Sequence, residues 1–296
     1  MDMIISAISQ AMVWAVMGLG IFISFRILNR ADLTAEGSFT LGAAMGVQML
    51  HFGLHPLIAL LLSFFAGMAG GAITGLLVSK LKINSLLAGI ITMTGLYSVN
   101  LKIMGSANIS LTGTQSLKDL LAPLNLPRNL DTIVIGSIIC LIIIASLHYF
   151  LQTEMGQAMI ATGDNYQMAK SMGIATKDMV ILAYMLANGL IAVSGYLVAT
   201  DNGFADISMG IGSTVIALAA IIIGEVLIPN VKLYKRLITI VLGSIVYRIL
   251  LMLVLLLNFD ANDFKLFSAL IVALCLAIPS IQGLFQSVRA FRKGAK

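Results

Sequence analysis

The sequence predicts an all-α fold, a polytopic membrane helical bundle. Hydrophobic residues make up 59% of the 296 residues and charged residues only 10%, and the mean hydropathy is +1.01. A soluble domain of this length would not tolerate such a surface. The apolar residues form continuous runs without alternation, which indicates spanning helices and excludes a closed barrel. Because no linker rich in Pro, Gly or Ser interrupts the chain, residues 1–296 are expected to form a single transmembrane domain.

The apolar runs indicate about nine transmembrane segments. A spanning helix needs about 20 mostly apolar residues. Runs of this kind lie at 4–25, 57–78, 86–104, 132–151, 179–200, 209–228, 237–257 and 266–286, and a shorter Gly-rich run lies at 37–50.

The distribution of Lys and Arg predicts the orientation of these segments. If the C-terminal tail is cytoplasmic, thirteen basic residues share its side, namely Arg26, Arg30, Lys80, Lys82, Lys170, Lys177, Lys232, Lys235, Arg236, Arg289, Arg292, Lys293 and Lys296. The other side carries four, namely Lys102, Lys118, Arg128 and Lys265. Cytoplasmic loops carry the excess of basic residues, so the C-terminus is expected in the cytoplasm and the N-terminus outside. The net charge of +5 is then a signal of topology and gives no support for nucleic-acid binding.

Two short spans begin with clusters of Gly, Ser and Thr. The first cluster is LTAEGSFTLGAAMG at 33–46, which starts from the cytoplasmic side, and the second is ISMGIGSTVIALA at 207–219, which starts from outside. Such a pair in the two halves of the chain, with opposite direction, is what an inverted repeat would leave. The same composition also suits helices that simply pack closely. The polar external loop 106–131 suits either a docking surface or a plain connector.

The segment 153–178, TEMGQAMIATGDNYQMAKSMGIATKD, is the long polar interruption of the second half. Asp164 is expected to be an N-cap, with Gln167 at the third position of a capping box and Gly173 as the stop of a short helix. Met168, Ala169 and Met172 would share one side of it, an adaptable apolar face suited to the groove of another protein. An ordinary solvated loop is the alternative.

Polar residues within the spans are candidates for a translocation path. Thr94, Tyr97 and Ser98 share a helical face, which suits either a solute path or bonds between helices. The full candidate set is Glu36, Ser38, Thr94, Tyr97, Ser98, Asn100, Ser213 and Thr214. Arg248 and Glu225 are ionisable groups inside or near spans, and either they pair with each other or Arg248 faces a polar pathway.

Enzyme chemistry is not predicted. The chain lacks a phosphate-binding loop that ends in Gly-Lys-Ser or Gly-Lys-Thr, so it is expected to have no ATPase activity of that type, no catalytic residues and no cofactor. His51 and His55 have i, i+4 spacing without an accompanying carboxylate or Cys, so no metal is expected. Cys140 and Cys275 both lie within spans and are expected to be packing residues, not a disulfide.

The loop 156–174 resembles the cytoplasmic coupling segment of a known family. The resemblance rests on Gly156, Ala158, Ala161, Gly163, Asp164, Asn165, Ala169, Gly173 and Ile174, and it continues through ILAYMLANGLIAVSGYLVA at 181–199. The family comprises permease subunits of ATP-binding-cassette importers in the branched-chain amino acid and ribose group. Three further stretches, at 33–44, 83–105 and 216–227, look closest to its tryptophan/tyrosine-type branch. Departures are Gln157 and Met159, where many relatives have basic residues, and Glu225, where relatives often have a glycine.

The resemblance implies a function and partners. The chain would be the solute pathway of an importer in a prokaryotic plasma membrane, for an amino acid of aromatic type or for another solute such as a sugar or nucleoside. It implies cytoplasmic ATPase subunits, an extracellular solute-binding protein, a permease homodimer and contact with membrane lipid. The ATPases would contact the coupling residues Gly156, Gly163, Asp164, Asn165, Gln167, Met168, Ala169, Met172 and Gly173. A secondary transporter driven by an ion gradient and a non-transporting scaffold are the alternatives.

Overall fold

A computed structural model describes residues 2–124, 130–229 and 231–256, and six isolated positions between 266 and 277. The structure is a helical bundle with one small sheet. Its elements are α1 (Asp2–Phe22), a π-helical turn (Ile23–Ile27), α2 (Thr34–His51), α3 (Pro56–Ser79), α4 (Ser85–Met104), β1 (Asn108–Ser110), a 3-10 helix (Leu117–Leu124), α5 (Leu130–Gln152), α6 (Glu154–Asp164), α7 (Tyr166–Ser171), α8 (Thr176–Asn202), β2 (Phe204–Asp206), α9 (Ser213–Leu227) and α10 (Leu233–Leu256).

Six helices in the described ranges are long and apolar enough to cross a membrane. They correspond to α1, α3, α4, α5, α8 and α10, and they match six of the predicted runs. The run at 37–50 forms α2, and the run at 209–228 forms a helix only from Ser213 onward. The predicted run at 266–286 lies outside the continuously described residues. The bundle is therefore confirmed, while the number nine stays a prediction.

Helix α8 is the centre of the bundle, and α1, α2 and α3 pack around it. Small residues permit this packing. A Cβ atom on Gly42 would lie 1.9 Å from the carbonyl oxygen of Ala192, and one on Gly195 would lie 1.8 Å from that of Phe39. Close backbone approach gives dispersion contacts, which drive helix association where lipid is as apolar as the side chains. Helices α9 and α10 pack on each other and on α1.

The loops at one end, the β-strand end, are tied together by polar contacts. Strand β1 pairs antiparallel with β2, so the chain is not entirely α-helical. The Lys118 ammonium lies 2.9 Å from the Asp201 carboxylate, which also accepts a hydrogen bond from the Thr132 hydroxyl at 2.9 Å. The His51 ring lies 2.8 Å from the Ser110 carbonyl oxygen. The described part of the loop 106–131 is thus folded against the ends of the helices, and its role as a docking surface stays a prediction.

The opposite end, the α6–α7 end, carries the predicted short helix with a different boundary. The chain from Glu154 to Asp164 is itself helical, and the second helix is capped by Asn165, whose Oδ1 accepts the backbone N–H of Met168 at 3.0 Å. The expected Asp164 cap and Gln167 capping-box position are therefore wrong by one residue. Asp164 is unavailable because it still belongs to the last turn of α6. The stop is confirmed, since Gly173 has a φ of +85° just after α7.

Helices α2 and α9 both begin deep inside the bundle. Asp32, two positions before the start of α2, accepts a hydrogen bond from Asn188 in the middle of α8. At the start of α9, the backbone N–H of Gly212 donates a hydrogen bond to the side chain of Glu36, which lies in the first turn of α2. Each helix is therefore preceded by non-α-helical chain that runs inward, which we name the α2 lead-in (residues 23–33) and the α9 lead-in (residues 203–212).

Candidate functional site

A cavity of about 370 Å³ opens where α2, α4 and the α9 lead-in meet. We call it the central pocket. Its lining combines acceptors and hydroxyls with apolar side chains, namely Glu36, Gly37, Thr40, Met93, Thr94, Tyr97, Asn100, Ile207 and Ile211. Its volume lies within the usual range for small-molecule sites. Four residues of the predicted path, Glu36, Thr94, Tyr97 and Asn100, are brought together here.

Glu36 is the charged group of the central pocket. Its side chain is partly buried, and its Oε1 accepts the Gly212 N–H at 3.1 Å. No Lys or Arg forms a salt bridge with it within the described ranges. The carboxylate therefore gains from the partial positive charge at the start of α9 while it lacks a cationic side chain.

Asn100 supplies a second acceptor. Its residue is only 1% exposed, and its Nδ2 donates to the carbonyl oxygen of Gly37 at 3.2 Å. Its Oδ1 is buried and has no hydrogen-bond partner among the described residues. A buried amide oxygen without a donor is costly, so it marks a place where a donor from outside the chain would be stabilised.

The polar residues of α4 fall into two groups. Thr92 bonds the neighbouring helix through the Thr74 hydroxyl at 2.9 Å. Thr94, Tyr97 and Ser98 are exposed, and of these only Thr94 and Tyr97 line the central pocket. The bond between helices is therefore made by Thr92, which lies outside the predicted stripe, and a solute path along the stripe stays a prediction.

Three other predicted path residues lie outside the pocket lining. Ser38 is fully buried and its Oγ faces Gly70 of α3, where a Cβ would lie 3.3 Å away. The hydroxyl of Ser213 donates to the Gly210 carbonyl oxygen at 2.6 Å. Thr214 follows it in the first turn of α9, and its buried hydroxyl lies close to the Glu36 carboxylate.

The predicted coupling residues form a surface that is buried where it meets the bundle and exposed on its outer side. Ala169 is 2% exposed, whereas Met168 and Met172 are 60% and 70% exposed and lie one turn apart. Large exposed apolar side chains on a polar segment suit a protein contact. Gln167 is also exposed, as are Asp164 and Asn165.

The base of this surface rests on the α2 lead-in. A Cβ on Gly163 would lie 1.8 Å from the carbonyl oxygen of Ile27, and the Asn29 amide donates to the carbonyl oxygen of Gly163 at 3.3 Å. The Arg30 guanidinium lies 5.9 Å from the centre of the Tyr166 ring. Gly156 packs similarly, because its Cβ would lie 2.3 Å from the carbonyl oxygen of Phe150.

The expected pair of Glu225 with Arg248 is wrong. Glu225 accepts from Arg26 Nε at 2.8 Å and lies 3.9 Å from Arg236 Nε, both at the α6–α7 end. Arg248 instead donates to the Gln10 side chain at 3.0 Å and lies over the Trp14 ring. The two residues lie near opposite ends of helices α9 and α10, which run antiparallel, so their side chains cannot meet.

Sequence reasoning missed Asp32. Its carboxylate is buried and accepts the Thr34 N–H at 2.9 Å and the Asn188 Nδ2–H at 2.7 Å. Asn188 Oδ1 has no hydrogen-bond partner in the described part of the chain. The signal was an acidic residue two positions before a Gly-rich helix start, which is an Asx-type cap.

Metal and disulfide chemistry find no support among the described residues. No group of three His, Cys, Asp or Glu side chains in these ranges is placed to hold a metal ion. His51 ends α2 while His55 caps α3, so the i, i+4 spacing does not lie on one helix. Cys140 is a free, buried thiol; Cys275 lies outside the described residues.

Comparison with known proteins decides the family. Residues 3–279 match the family described as branched-chain amino acid transport system, permease component. The chain belongs to this family. This transport permease is a membrane component of an ATP-binding-cassette importer, which confirms the resemblance seen in the coupling segment.

Individual relatives extend the match over nearly the whole permease. It is 37% identical over 277 residues to the tyrosine transport system permease protein of Clostridioides difficile (strain R20291), covering 94% of this chain and 91% of that protein. It is 33% identical over 281 residues to the uncharacterized protein RP368 of Rickettsia prowazekii (strain Madrid E), covering 94% and 98%. The autoinducer 2 import system permease protein LsrC of Photorhabdus luminescens is 28% identical over 200 residues, 68% of this chain and 59% of that protein.

One solved structure aligns with the permease along most of its length. It is PsaBC from Streptococcus pneumoniae in complex with Fab, with a TM-score of 0.49 and 16% identity over 92% of this chain and 89% of that one. The likeness is too weak to assign a fold.

Proposed function

We propose that this permease conducts an aromatic amino acid through the central pocket and is driven by separate cytoplasmic ATPases that dock on α7. The observation that carries the docking is the exposed pair Met168, on α7, and Met172, at its C-cap, on a short helix that is anchored in the bundle by the buried Ala169. The solute class is supported by the tyrosine transport permease at 37% identity. A sugar or nucleoside is the second candidate, implied by the resemblance of the coupling segment to the branched-chain amino acid and ribose group.

A continuous set of contacts joins the docking helix to the pocket. Helix α6 packs on the α2 lead-in at Ile27 and Asn29, and the Tyr166 ring of α7 lies 5.9 Å from the Arg30 guanidinium of the same lead-in. In the same lead-in, Arg26 is paired with Glu225 near the end of α9. Helix α9 begins at the pocket, where Gly212 bonds Glu36. A displacement of α7 would therefore reach the pocket through packed and charged groups with few intervening flexible elements.

The proposed assembly has two permease copies, two ATPases and an external solute-binding protein. Helix α4 supports the dimer, because the exposed Thr94, Tyr97 and Ser98 on an apolar span need water or a polar partner within a bilayer. The binding protein would dock on the β-strand end, whose loops are held in place by the salt bridge of Lys118 with Asp201.

The proposed orientation places the α6–α7 end and the C-terminus in the cytoplasm, with nine spans. The support is the concentration of Lys and Arg in the loops of that end. We further propose that α2 and α9 are equivalent parts of an inverted repeat, because both are short helices that start inside the bundle from opposite ends.

Substitution of Met172 by Asp tests the coupling. The charged side chain would have to enter an apolar groove of the ATPase, and we expect loss of most ATP-driven uptake in vesicles that contain the permease, the ATPase and the binding protein. Met155→Asp is the matched control, since Met155 is 51% exposed on the neighbouring helix α6 and lies outside the docking pair. Uptake that persists without the ATPase would instead support a secondary transporter, and the proposal would fail.

The solute class is tested with the binding protein. Calorimetric titration of that partner against aromatic amino acids, aliphatic amino acids and nucleosides should give heat with the first group alone. Binding of nucleosides alone would favour the second candidate. A complex with no solute-stimulated ATP turnover would indicate a scaffold.

A further inference from the structure

Three features of the central pocket select for the kind of ligand it takes. Glu36 brings a negative charge that no basic side chain among the described residues neutralises. Asn100 Oδ1 brings a buried acceptor to which none of the described residues donates a hydrogen bond. The remaining wall is largely apolar, with Met93, Ile207 and Ile211. Two acceptors and an apolar wall favour a ligand that has a cationic donor on an apolar body.

We propose that the central pocket binds the protonated amine of the solute, with Glu36 as its counter-ion and Asn100 Oδ1 as a second acceptor. An ammonium group has three donors and no acceptor, so it can satisfy both oxygens at once. A carboxylate in the same position would meet two acceptors and be repelled by Glu36. This proposal names the recognition element of the pathway proposed above and rests on it for the biological solute.

Tyr97 and the α9 lead-in give the pocket its shape. The Tyr97 ring is 53% exposed beside the acceptors, so it can cover one face of an apolar or aromatic group. The opposite wall is held close to α2, because a Cβ on Gly210 would lie 2.1 Å from the Glu36 carbonyl oxygen. The amine-binding oxygens are thereby carried by α2 and α4, and the apolar wall by the lead-in.

Protection from labelling tests the proposal on the full permease without ATPase or binding protein. Thr94→Cys, in a background with Cys140 and Cys275 replaced by Ala, places a thiol at the pocket. Tyramine should slow its reaction with a maleimide, whereas 3-(4-hydroxyphenyl)propionate, which has the same ring and no amine, should not. Ser106→Cys is the control, because Ser106 is exposed just beyond the C-terminal end of α4, outside the pocket lining, and its labelling should not respond.

Glu36 variants decide the role of the charge. Glu36→Gln keeps an oxygen for the Gly212 N–H and removes the charge, so half-protection should need at least about tenfold more tyramine. Glu36→Asp should retain the preference for the amine, which separates loss of charge from loss of structure. Equal protection by the propionate, or unchanged protection in Glu36→Gln, would overturn the proposal.

The outcomes separate this inference from the transport function. Absence of protection by tyramine together with normal ATP-driven uptake would contradict the proposed amine site and leave the proposed importer function intact. Protection together with ATP-independent uptake would remove the importer mechanism and support the site.

Discussion

The lead-ins of α2 and α9 reach the same depth of the bundle but are held in different ways. The α2 lead-in ends in a buried carboxylate, Asp32, that bonds Asn188 of the central helix. The α9 lead-in ends in glycine, and Gly212, with a φ of +80°, bonds Glu36 at the edge of the pocket. One is anchored in the interior and the other lies against a cavity. We infer that α2 is the fixed element of the pocket and that the α9 lead-in is the adjustable one.

Removal of the α2 anchor should have the largest effect. Asn188→Leu leaves the buried Asp32 carboxylate without its side-chain donor, so we expect a stability loss of about 3 kcal/mol. The single Trp reports it directly, because Trp14 stacks on Phe39 of α2 at 5.3 Å. Thermal unfolding followed by Trp fluorescence is the measurement.

Two variants control for this anchor. Asn202→Ala, at the exposed end of the same helix, should change the melting temperature little. Asp32→Asn combined with Asn188→Leu should recover part of the loss, because the buried charge is gone. If Asn188→Leu melts like the unaltered protein, Asp32 does not anchor α2.

Crowding the α9 lead-in should have the next largest effect. Gly210→Ala places a Cβ 2.1 Å from the Glu36 carbonyl oxygen, and we expect about 2 kcal/mol of destabilisation as the lead-in moves away. Tyramine protection at Thr94→Cys should weaken in parallel. Gly95→Ala is the control, since no atom lies within 4 Å of its Cβ and α4 should gain slightly in helix stability.

Straining the cap of α9 should cost less. Gly212→Ala keeps the N–H that bonds Glu36 but forces a Cβ into left-handed backbone, at about 1 kcal/mol. Gly53→Ala has the same problem at a φ of +76° with open space around it, so it should cost a similar amount. A much larger loss at Gly212, by the same fluorescence measurement, would show that the lead-in is as rigid as the α2 anchor.

The smallest effect concerns acid pH at the outer start of the α9 lead-in. The Ser208 hydroxyl and N–H donate to the Asp206 carboxylate and hold its pKa below the usual range. A lowered folded pKa means that this stabilisation is present above the ordinary aspartate pKa of about 4 and is lost as pH falls through the folded pKa.

Ser208→Ala should therefore reduce the acid-dependent part of the melting temperature slightly. The measurement is a melting series from neutral pH downward, with Ser106→Ala in the neighbouring loop as the control. An unchanged acid dependence in Ser208→Ala would contradict the assigned role of Asp206.

Helix α7, the predicted coupling helix, shows where local sequence rules succeed and where they fail. Gly173 ends α7 because a left-handed residue is needed there, and this requirement is local. The cap moved from Asp164 to Asn165 because α6 extends to Asp164, and α6 depends on packing against the α2 lead-in. The rule for N-cap residues was therefore correct, but the position of the cap was set by a segment that is distant in the sequence.

The candidate pocket was predictable in part. Glu36, Thr94, Tyr97 and Asn100 stood out as polar groups in apolar runs, and they converge. Asp32 was missed because its importance comes from Asn188, more than 150 positions away. The pairing of Glu225 with Arg248 was wrong because the antiparallel course of α9 and α10 puts the two at different depths, where Arg26 reaches Glu225 and Gln10 reaches Arg248.

Sequence by itself determined that this chain is a membrane bundle of long apolar helices with a polar segment at one end, because the apolar runs and the basic loops act locally. The sequence of the segment 156–174 also indicated the family. Only the tertiary structure decided that two short helices begin at the same depth, that Glu36 meets Gly212, and that Asn100 Oδ1 receives no donor from the part of the chain that the structure describes. Those features depend on which helix faces lie together, and side-chain packing across the bundle sets that arrangement.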